Sequence, residues 1–296
     1  MAIARKHSQE YAQERFSLLD SQRLEYLFRR NMLELEMVVQ ELWLELNQAE
    51  YVPHAFEMQF GLDGEMPAIE ITGAALKARL RGLVDRVDVW KTGESTFFRV
   101  VDYKTGRKDF DYCDVFNGVG LQMLLYLFAL EDAGSSIGAK RVSAGVQYFP
   151  ARAPYVSVDG AVSEDEAAKE RKKLWERKGL LLENTDSLQA MDPTDGFDRL
   201  CCKRKKDGTV SGDLADSVQL GQLKDYVMQV LRKLIDEIAS GDVTANPYTR
   251  GYSHDACTFC PYGAICHKET VAGRRNYKKM EPQEFWEAVG KEAPNG

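Results

Sequence analysis

The sequence predicts an α/β fold in which helices flank one central mixed sheet. Three observations support this prediction: a long amphipathic segment precedes a strand pattern, two adjacent segments have the pattern of a β-hairpin, and a short apolar helix separates that hairpin from a further strand. Alternation of helical and strand periods along one chain is typical of α/β folds. The chain has 296 residues, which is long enough for one large core with appendages.

Periodicity supports the first half of this order. Residues 24–46 carry apolar side chains at helical spacing with charged residues on the other face, which predicts a long amphipathic helix. Residues 56–60 alternate and stop at Gly61, as a strand does. Residues 80–104 contain two stretches rich in apolar and β-branched residues around a turn at 91–94, which predicts a β-hairpin.

The second half of the chain alternates in the same way. The apolar run at 121–130 predicts a buried helix, and 141–149 predicts a strand that stops at Pro150. The following sequence is polar and helical, then rich in turns, before a second long amphipathic pattern. The remaining predicted elements are a short strand over 155–158, a polar helix from 163 to about 178, and a helix over 220–238.

Composition and charge exclude several classes of protein. Hydrophobic residues make up 44% and charged residues 29%, which is globular usage and not that of a disordered or collagen-like chain. No apolar run reaches the roughly 18 residues that a membrane span needs, and no secretion signal is present, so we expect a soluble, cytoplasmic protein without membrane partners. The net charge of −7 means that any contact with DNA must come from local basic patches. The absence of a G-x-x-x-x-G-K-[ST] sequence excludes a P-loop motor.

Two neighbouring strands of the predicted hairpin carry acidic residues that alternation brings together. Asp102 and Lys104 project from the same face of one strand, and the expected register sets Asp85 beside them. Two carboxylates this close repel one another unless a cation joins them, and Mg²⁺ or Mn²⁺ prefers such oxygen ligands. The pattern predicts metal-dependent phosphodiester hydrolysis, with Lys104 orienting or helping to deprotonate the attacking water. The alternative is that both carboxylates are exposed strand residues paired with Arg86 or Arg99.

Polar side chains also interrupt the apolar helix that follows the hairpin. Gln122 and Tyr126 are four residues apart and therefore lie on one stripe of that helix. Polar groups placed in an apolar stripe cost free energy unless they find partners. The pattern predicts that both residues face a polar site, and the alternative for Tyr126 is a core tyrosine bonded to a backbone carbonyl.

These short motifs together resemble those of the PD-(D/E)XK nuclease superfamily, and within it the RecB-like nucleases. The motifs are G-x-x-D ending at Asp85, D-Y-K-T-G beginning at Asp102 and Q-x-x-x-Y beginning at Gln122, in this order. Further segments are similar to AddB-type nuclease domains of bacterial helicase–nucleases, and the similarity covers about residues 20–270. Those segments are FEMQFG at 56–61, AGVQYFP at 144–150, KGLL at 178–181 and NPY at 246–248.

The resemblance implies a PD-(D/E)XK nuclease core with a central mixed sheet flanked by helices, and it implies a role for each motif residue. Asp85 and Asp102 match the metal-binding carboxylates, and Lys104 matches the catalytic lysine. Gln122 and Tyr126 match the Q-x-x-x-Y motif, which is associated with the substrate and with organisation of the site. A glutamate at position 57 also matches a recurrent residue of AddB-type domains, for which neither a catalytic nor a structural role is assigned.

A second constellation lies near the C-terminus. Cys257, Cys260 and Cys266 are spaced so that their thiolates can close around one metal ion. The resemblance implies that these three residues bind a [4Fe–4S] cluster whose fourth cysteine lies upstream of the core. On spacing alone, a zinc site formed by the three cysteines with His254 or His267 is the alternative.

Two features that the resemblance leads us to expect are absent. No cysteine precedes Cys113, and residues 1–20 lack the Gly-rich helix entry with a His or Glu that RecB-like nucleases carry. We therefore expect the chain to begin inside the domain, the cluster to be incomplete, and the segment from about residue 246 to be rearranged. Cys113, Cys201 and Cys202 are expected to be inert or buried thiols.

The sequence also predicts how the chain is divided and where basic residues cluster. Lys104, Arg107 and Lys108, beside the proposed metal site, are the preferred candidates for phosphate contact. Two other basic clusters, at 199–206 and 274–279, are interpreted as solvated loops with DNA contact as the alternative. The predicted segments are an N-terminal helical segment over 1–50, the nuclease core over 51–160, a helical insertion and C-terminal helix over 161–245, and a cysteine-rich metal-binding segment with a tail over 246–296.

Three functions follow from these observations. The first is a Mg²⁺-dependent DNA exonuclease domain that cuts single-stranded DNA delivered by a helicase, with an AddA-like helicase–nuclease partner, in double-strand break repair and recombination. The second is a catalytically silent scaffold that binds DNA or a partner. The third is a zinc-stabilised regulatory domain. The acidic pair with its lysine favours the enzyme.

Overall fold

The structure is a computed structural model, and it describes residues 2–16, 21–61, 66–132, 140–152, 160–251, 255–258, 260–266 and 275–292. No helix within these ranges is long and apolar enough to cross a membrane. The helices are α1 Ala2–Phe16, α2 Gln22–Gln48, α3 Tyr112–Phe116, α4 Gln122–Asp132, α5 Glu164–Leu174, α6 Thr185–Met191, α7 Ser217–Ala239, α8 Gly263–Cys266 and α9 Pro282–Glu292. The strands are β1 Val52–Phe60, β2 Ile69–Thr72, β3 Lys77–Leu80, β4 Gly82–Thr92, β5 Ser95–Lys104, β6 Lys140–Pro150, β7 Lys178–Leu182, β8 Cys202–Arg204, β9 Val210–Gly212, β10 Leu214–Ala215, β11 Tyr248–Thr249 and β12 Arg275–Asn276.

Six of these strands form one mixed sheet in the order β1-β4-β5-β6-β7-β10. β4 and β5 are antiparallel, β5 and β6 are parallel, β6 and β7 are antiparallel, and β7 and β10 are parallel. The parallel pair β5 and β6 is connected through α4, as a parallel connection requires. The prediction of an α/β fold around one mixed sheet is confirmed.

Helices cover both faces of the sheet. On one face, Val38 of α2 packs in a buried cluster with Val101 of β5. On the other face, the end of α4 contacts β6, where Arg141 donates to the carbonyl oxygen of Leu130 at 2.9 Å and its guanidinium lies 5.1 Å from the ring centre of Phe98. The arrangement leaves the two faces of β4 and β5 in different chemical surroundings.

Local sequence explains where the main elements begin and turn. Ser21 caps α2 by accepting a hydrogen bond from the main-chain N–H of Leu24, and a serine before α5 forms a capping box with Glu166. Gly93 has φ of 54°, which a tight turn between β4 and β5 requires. The structure confirms most of the predicted elements: the helices at 24–46, 121–130 and 220–238, the hairpin, and the strands at 56–60 and 141–149. The strand predicted at 155–158 lies outside the described residues.

One element differs from the prediction. The polar helix ends at Leu174 and not near Lys178, and Lys178 begins β7. The helix prediction was wrong at this end because residues 179–182 are buried in the sheet beside β6. Gly145 and Gly179 allow this close approach: a Cβ atom at Gly145 would lie 2.3 Å from the carbonyl oxygen of Leu180.

The chain divides into two compact units. The first contains Met1–Gln59, Leu83–Phe110 and Met123–Ser217, and it includes almost all of the six-stranded sheet. The second contains Phe60–Gly82, Asp111–Gln122 and Val218–Gly296. In the second unit the hydroxyl of Tyr226 donates to the carbonyl oxygen of Phe116, and the ring centres of Tyr112 and Phe285 lie 5.1 Å apart. The boundaries predicted at 50, 160 and 245 stay predictions.

Candidate active site

The candidate site lies where β4 begins and β5 ends. Oδ2 of Asp85 accepts a hydrogen bond of 2.9 Å from the main-chain N–H of Tyr103. On β5, the Nζ of Lys104 forms an ion pair with Oδ2 of Asp102. The ladder pairs Arg86 with Val101, so Asp85 stands at the next position along β4, beside Asp102. The structure therefore brings Asp85, Asp102 and Lys104 together at one end of the hairpin.

The site is partly open to solvent. The side chain of Asp102 is 18% exposed and that of Lys104 is 40% exposed. Phe98, Asp102 and Lys104 share one face of β5 because side chains alternate along a strand, and this is the face on which the end of α4 contacts the sheet. Solvent therefore reaches Lys104 and part of the Asp102 side chain.

The structure contradicts the alternative in which Arg86 or Arg99 pairs with the two site carboxylates. Both arginines lie on the opposite face and are almost completely buried, with exposures of 0% and 1%. Arg99 Nη2 lies 2.7 Å from Oδ2 of Asp88 and 3.0 Å from Oε1 of Glu45. Arg86 Nη2 lies 2.9 Å from the same Glu45 oxygen. Neither arginine neutralises Asp102, which is paired with Lys104 instead.

These buried groups belong to an ionic network between α2 and the sheet. Glu45 is its centre, because its second oxygen accepts from Nη2 of Arg177 at 2.7 Å. Burial alone would raise the pKa of Glu45. The positive charges of Arg177, Arg99 and Arg86 have the larger effect, so the pKa of Glu45 lies below its usual range. A buried carboxylate surrounded by three guanidinium groups stays ionised, so the network fixes the position of α2 against β4 and β5.

Tyr103 connects the two faces of the hairpin. Its main-chain N–H contacts Asp85 in the candidate site, and its hydroxyl accepts a hydrogen bond of 3.1 Å from Nη1 of Arg86 in the network. Burial raises the pKa of the Tyr103 hydroxyl, and this effect exceeds the lowering effect of Arg86. The hydroxyl is therefore uncharged, and Tyr103 joins the network to the strand that carries the candidate site.

The carboxylates fit a hard divalent cation such as Mg²⁺. Oδ2 of Asp102 is buried and accepts no hydrogen bond from any described residue, although Lys104 lies beside it as a counter-ion. Oδ2 of Asp85 accepts the hydrogen bond from Tyr103, and the second carboxylate oxygen of Asp85 takes no part in that bond. No group of three or more His, Cys, Asp or Glu side chains in the described ranges could hold a metal ion, so the available protein donors are these two carboxylates. Mg²⁺ is commonly held by one or two carboxylates and several waters.

The two residues of the Q-x-x-x-Y motif differ in their exposure to solvent. Gln122 is the exposed first residue of α4, whereas Tyr126, one turn later, is 5% exposed. Tyr126 therefore lies on the buried part of α4. Their contribution to the site stays a prediction.

The glutamate at position 57 has an unusual backbone. Glu57 is exposed in the middle of β1, and its φ is 49°. Residues other than glycine rarely adopt this left-handed conformation, and such strain is often found near functional positions. The geometry singles out Glu57 but does not assign it a role.

The C-terminal cysteines are not gathered in the described residues. Cys257 and Cys266 are half-buried, Cys260 is exposed, and no metal-binding group includes them. His254 and His267 lie outside the described residues, so the zinc alternative stays a prediction, as does the iron–sulfur cluster.

The other thiols have the environment that the sequence predicts. Cys113, Cys201 and Cys202 are buried, and burial raises the pKa of each. Thiols with a raised pKa are poor nucleophiles and poor metal ligands. These three residues are therefore structural.

The basic cluster at 199–206 makes mostly internal contacts. Lys203 donates to three main-chain carbonyl oxygens, the nearest of them that of Phe197 at 3.1 Å. Arg199 donates to Glu41, and the guanidinium of Arg204 lies 4.3 Å from the ring centre of Phe197. These contacts favour a structural role for the cluster. In the second cluster, Arg274 lies outside the described residues.

Sequence reasoning did not find the buried network of Glu45, Arg86, Asp88, Arg99 and Arg177. A signal was present in the hairpin, because the V-D-R-V-D-V segment at 84–89 places charges on both faces of an otherwise apolar strand. One charged face can point to solvent, but charges on both faces of a central strand require buried partners. Those partners come from distant segments, which alternation within one strand cannot identify.

The chain is similar in sequence to known proteins. Residues 2–267 match the PD-(D/E)XK nuclease superfamily. The chain is 33% identical over 282 residues to a subunit of the ATP-dependent helicase/deoxyribonuclease of Symbiobacterium thermophilum, covering 92% of this chain and 24% of that protein. It is 30% identical over 283 residues to the protein of the same name from Thermoanaerobacter sp. (strain X514), covering 93% of this chain and 24% of that protein. The chain thus spans about a quarter of the length of these relatives.

Proposed function

The chain belongs to the PD-(D/E)XK nuclease superfamily, and from this premise we propose that it is the nuclease domain of a DNA helicase–nuclease. The reaction is Mg²⁺-dependent hydrolysis of phosphodiester bonds in single-stranded DNA. The single observation that supports the proposal is that Asp85 and the Asp102–Lys104 ion pair lie at the same end of the hairpin. The two carboxylates would hold the metal ion, which when bound supplies positive charge for the phosphate oxygens and lowers the pKa of water.

Each residue has a distinct part in this proposal. Asp85 is held by the N–H of Tyr103, so its free oxygen is presented in a fixed direction. Asp102 offers its buried Oδ2, which has the ammonium of Lys104 as its counter-ion and accepts no hydrogen bond from a described residue. The ammonium of Lys104 orients the attacking water and stabilises negative charge on a phosphate oxygen. The open side of the site admits the strand.

The relatives support the proposed setting. They are named as subunits of an ATP-dependent helicase/deoxyribonuclease, and this chain corresponds to about a quarter of each. The chain carries no P-loop sequence, so ATP-driven strand separation would come from outside this segment. We infer that an AddA-like helicase delivers single-stranded DNA to the site during repair and recombination of double-strand breaks.

Digestion of a 5′-labelled single-stranded oligonucleotide tests the proposal. The wild-type chain should degrade it with Mg²⁺ or Mn²⁺ and not with EDTA, and Asp102→Asn should lower the rate by a factor of about 10² to 10³. Asp207→Asn, a change on an exposed loop, is the matched control and should keep full activity. Normal activity of Asp102→Asn would overturn the assignment.

The same experiment separates the alternatives. A catalytically silent scaffold would bind the oligonucleotide and leave it intact with every metal ion. If the wild-type chain does not cleave, isothermal titration with Mn²⁺ should still show weaker binding to Asp102→Asn than to wild type. Equal binding of Mn²⁺ by the two proteins would remove the metal site from the proposal.

A further inference from the structure

A cationic cavity adjoins the candidate site on the Lys104 side. Its volume is about 530 Å³, within the range of about 300–1,000 Å³ that is usual for pockets that hold small ligands. Three parts of the first compact unit form its walls: the loop that follows β5, the end of β6, and the segment from the end of α5 to the start of β7. The cavity therefore begins at a residue of the candidate site and continues away from it.

Positive charge dominates the walls of this cavity. They contain six cations, namely Lys104, Arg107, Lys108, Arg152, Lys173 and Lys178, and two carboxylates, namely Asp109 and Glu176. The whole chain has a net charge of −7, so this local excess is opposite in sign to the charge of the molecule. A concave surface of this kind attracts a polyanion to one place.

Several of these cations can turn toward a ligand. The side chain of Lys173 is 69% exposed and pairs with Glu170 on its own helix, and that of Arg152 is 52% exposed and lies 3.4 Å from Glu34. The Lys173–Glu170 pair is exposed on both sides, and such pairs contribute little free energy, so exchanging Glu170 for a phosphate costs little. Lys173 and the exposed end of Arg152 are therefore accessible to a charged ligand.

The cavity also offers apolar surface. Leu174 is 39% exposed at the end of α5, and Pro150 closes the end of β6. Apolar surface beside cations suits a nucleotide, which joins an anionic phosphate to a flat base. A small inorganic anion would use only the charged part of the cavity.

We propose that this cavity is a nucleotide subsite, which holds the phosphates and a base of single-stranded DNA next to the bond that is cut. The proposal rests on the proposed nuclease function and extends it to the residues that position the strand. Arg152 and Lys173 contact the phosphates, and Leu174 contacts the base. The cavity thereby fixes the register of the strand relative to Asp102 and Lys104.

Two adjacent lysines of α5 provide a matched test. Lys173 lines the cavity, whereas Lys172 does not and pairs with Asp198. Their side chains are 69% and 60% exposed, and each has one acidic partner, so neither substitution should disturb the fold. Binding of fluorescein-labelled (dT)12 is measured by anisotropy in EDTA at a series of salt concentrations, where cleavage plays no part.

The loss of one phosphate contact lowers the slope of log K against log salt by about 0.7 for single-stranded DNA. We expect this decrease for Lys173→Gln and for Arg152→Gln, and about 1.4 for the double variant. Lys172→Gln and Lys173→Arg should keep the wild-type slope. Equal slopes for Lys172→Gln and Lys173→Gln would overturn the subsite, as would failure of the chain to bind (dT)12.

The outcome is distinguishable from failure of the proposed function. Loss of cleavage in Asp102→Asn, together with unchanged slopes for Lys173→Gln, would support the nuclease and contradict the subsite. Normal cleavage by Asp102→Asn, together with the expected slopes, would contradict the catalytic assignment and support a strand-binding cavity. Binding and cleavage are read separately in each case.

Discussion

The main-chain N–H of Tyr103 holds Oδ2 of Asp85 at 2.9 Å, so a backbone group of one strand fixes a carboxylate of the next. A main-chain donor cannot be removed by changing a side chain, and its position is set by the β4–β5 ladder. Substitutions of the Tyr103 side chain should therefore affect the network on the opposite face more than the candidate site.

Tyr103→Phe should separate these two contacts. The change removes the hydroxyl that accepts from Arg86 at 3.1 Å and keeps the N–H that donates to Asp85. We expect a loss of about 1.5 kcal/mol in the free energy of unfolding, since the bond involves a charged donor, with cleavage close to wild type. Urea denaturation and the oligonucleotide assay measure the two effects, with the exposed Tyr26→Phe as control. A stable but inactive Tyr103→Phe protein would contradict this separation.

Lys104→Ala should strongly reduce cleavage and keep the fold. The ammonium pairs with Asp102 in a partly exposed site, so its loss removes a charge and not a core side chain. We expect the rate to fall by a factor of about 10² to 10³, as for other preorganised charge-stabilising groups. Lys91→Ala, an exposed lysine at the far end of the same hairpin, should leave the rate unchanged. Retained activity in Lys104→Ala would remove this residue from the mechanism.

Glu45→Gln should be strongly destabilising. The change removes a negative charge that pairs with Arg177, Arg86 and Arg99, so the buried positive charges of these arginines are no longer fully compensated. Breaking a buried ion pair costs about 3 to 5 kcal/mol of unfolding free energy. The midpoint of urea unfolding measures this, and Glu25→Gln on the exposed side of α2 should leave the midpoint unchanged. A small effect of Glu45→Gln would mean that the network contributes little to stability.

The lowered pKa of Glu45 also predicts how stability depends on pH. The folded carboxylate binds a proton less readily than the unfolded one, so its contribution is fully present above the pKa of an unfolded glutamate, about 4.3. This contribution should be lost progressively as the pH falls below that value. Unfolding midpoints measured between about pH 7 and pH 3.5 should fall less steeply for Glu45→Gln than for wild type. Parallel curves for the two proteins would assign the acid sensitivity to other groups.

Gly145→Ala should destabilise the sheet, whereas Gly221→Ala should stabilise the chain. A Cβ atom at Gly145 would lie 2.3 Å from the carbonyl oxygen of Leu180, and the φ of 129° is unfavourable for alanine. Gly221 lies inside α7 with open space around it, so alanine there should add about 0.5 to 1 kcal/mol. Thermal melting of both variants measures the opposite signs. A stable Gly145→Ala protein would show that β6 and β7 can separate without cost.

Local patterns in the sequence predicted the candidate site, because its residues depend on alternation within one hairpin. Asp102 and Lys104 share a face by spacing alone, and the register follows from a short turn. The strand at 178–182 could not be predicted, since its pairing with β6 depends on Gly145 and Gly179, which are 34 positions apart in the sequence. The network around Glu45 was missed for the same reason, because its members come from α2, the hairpin and the segment before β7.

The opposite faces of β4 and β5 carry two sets of charged groups with different tasks, and this has an evolutionary consequence. A single substitution at Asp102 would silence the proposed chemistry, while the ionic groups around Glu45 would still hold the sheet together. Natural selection can then act on catalysis and on persistence of the folded domain independently. Lineages that no longer need the hydrolytic step could inherit a stable domain. Inactive descendants would then combine an intact network around Glu45 with an altered acidic pair.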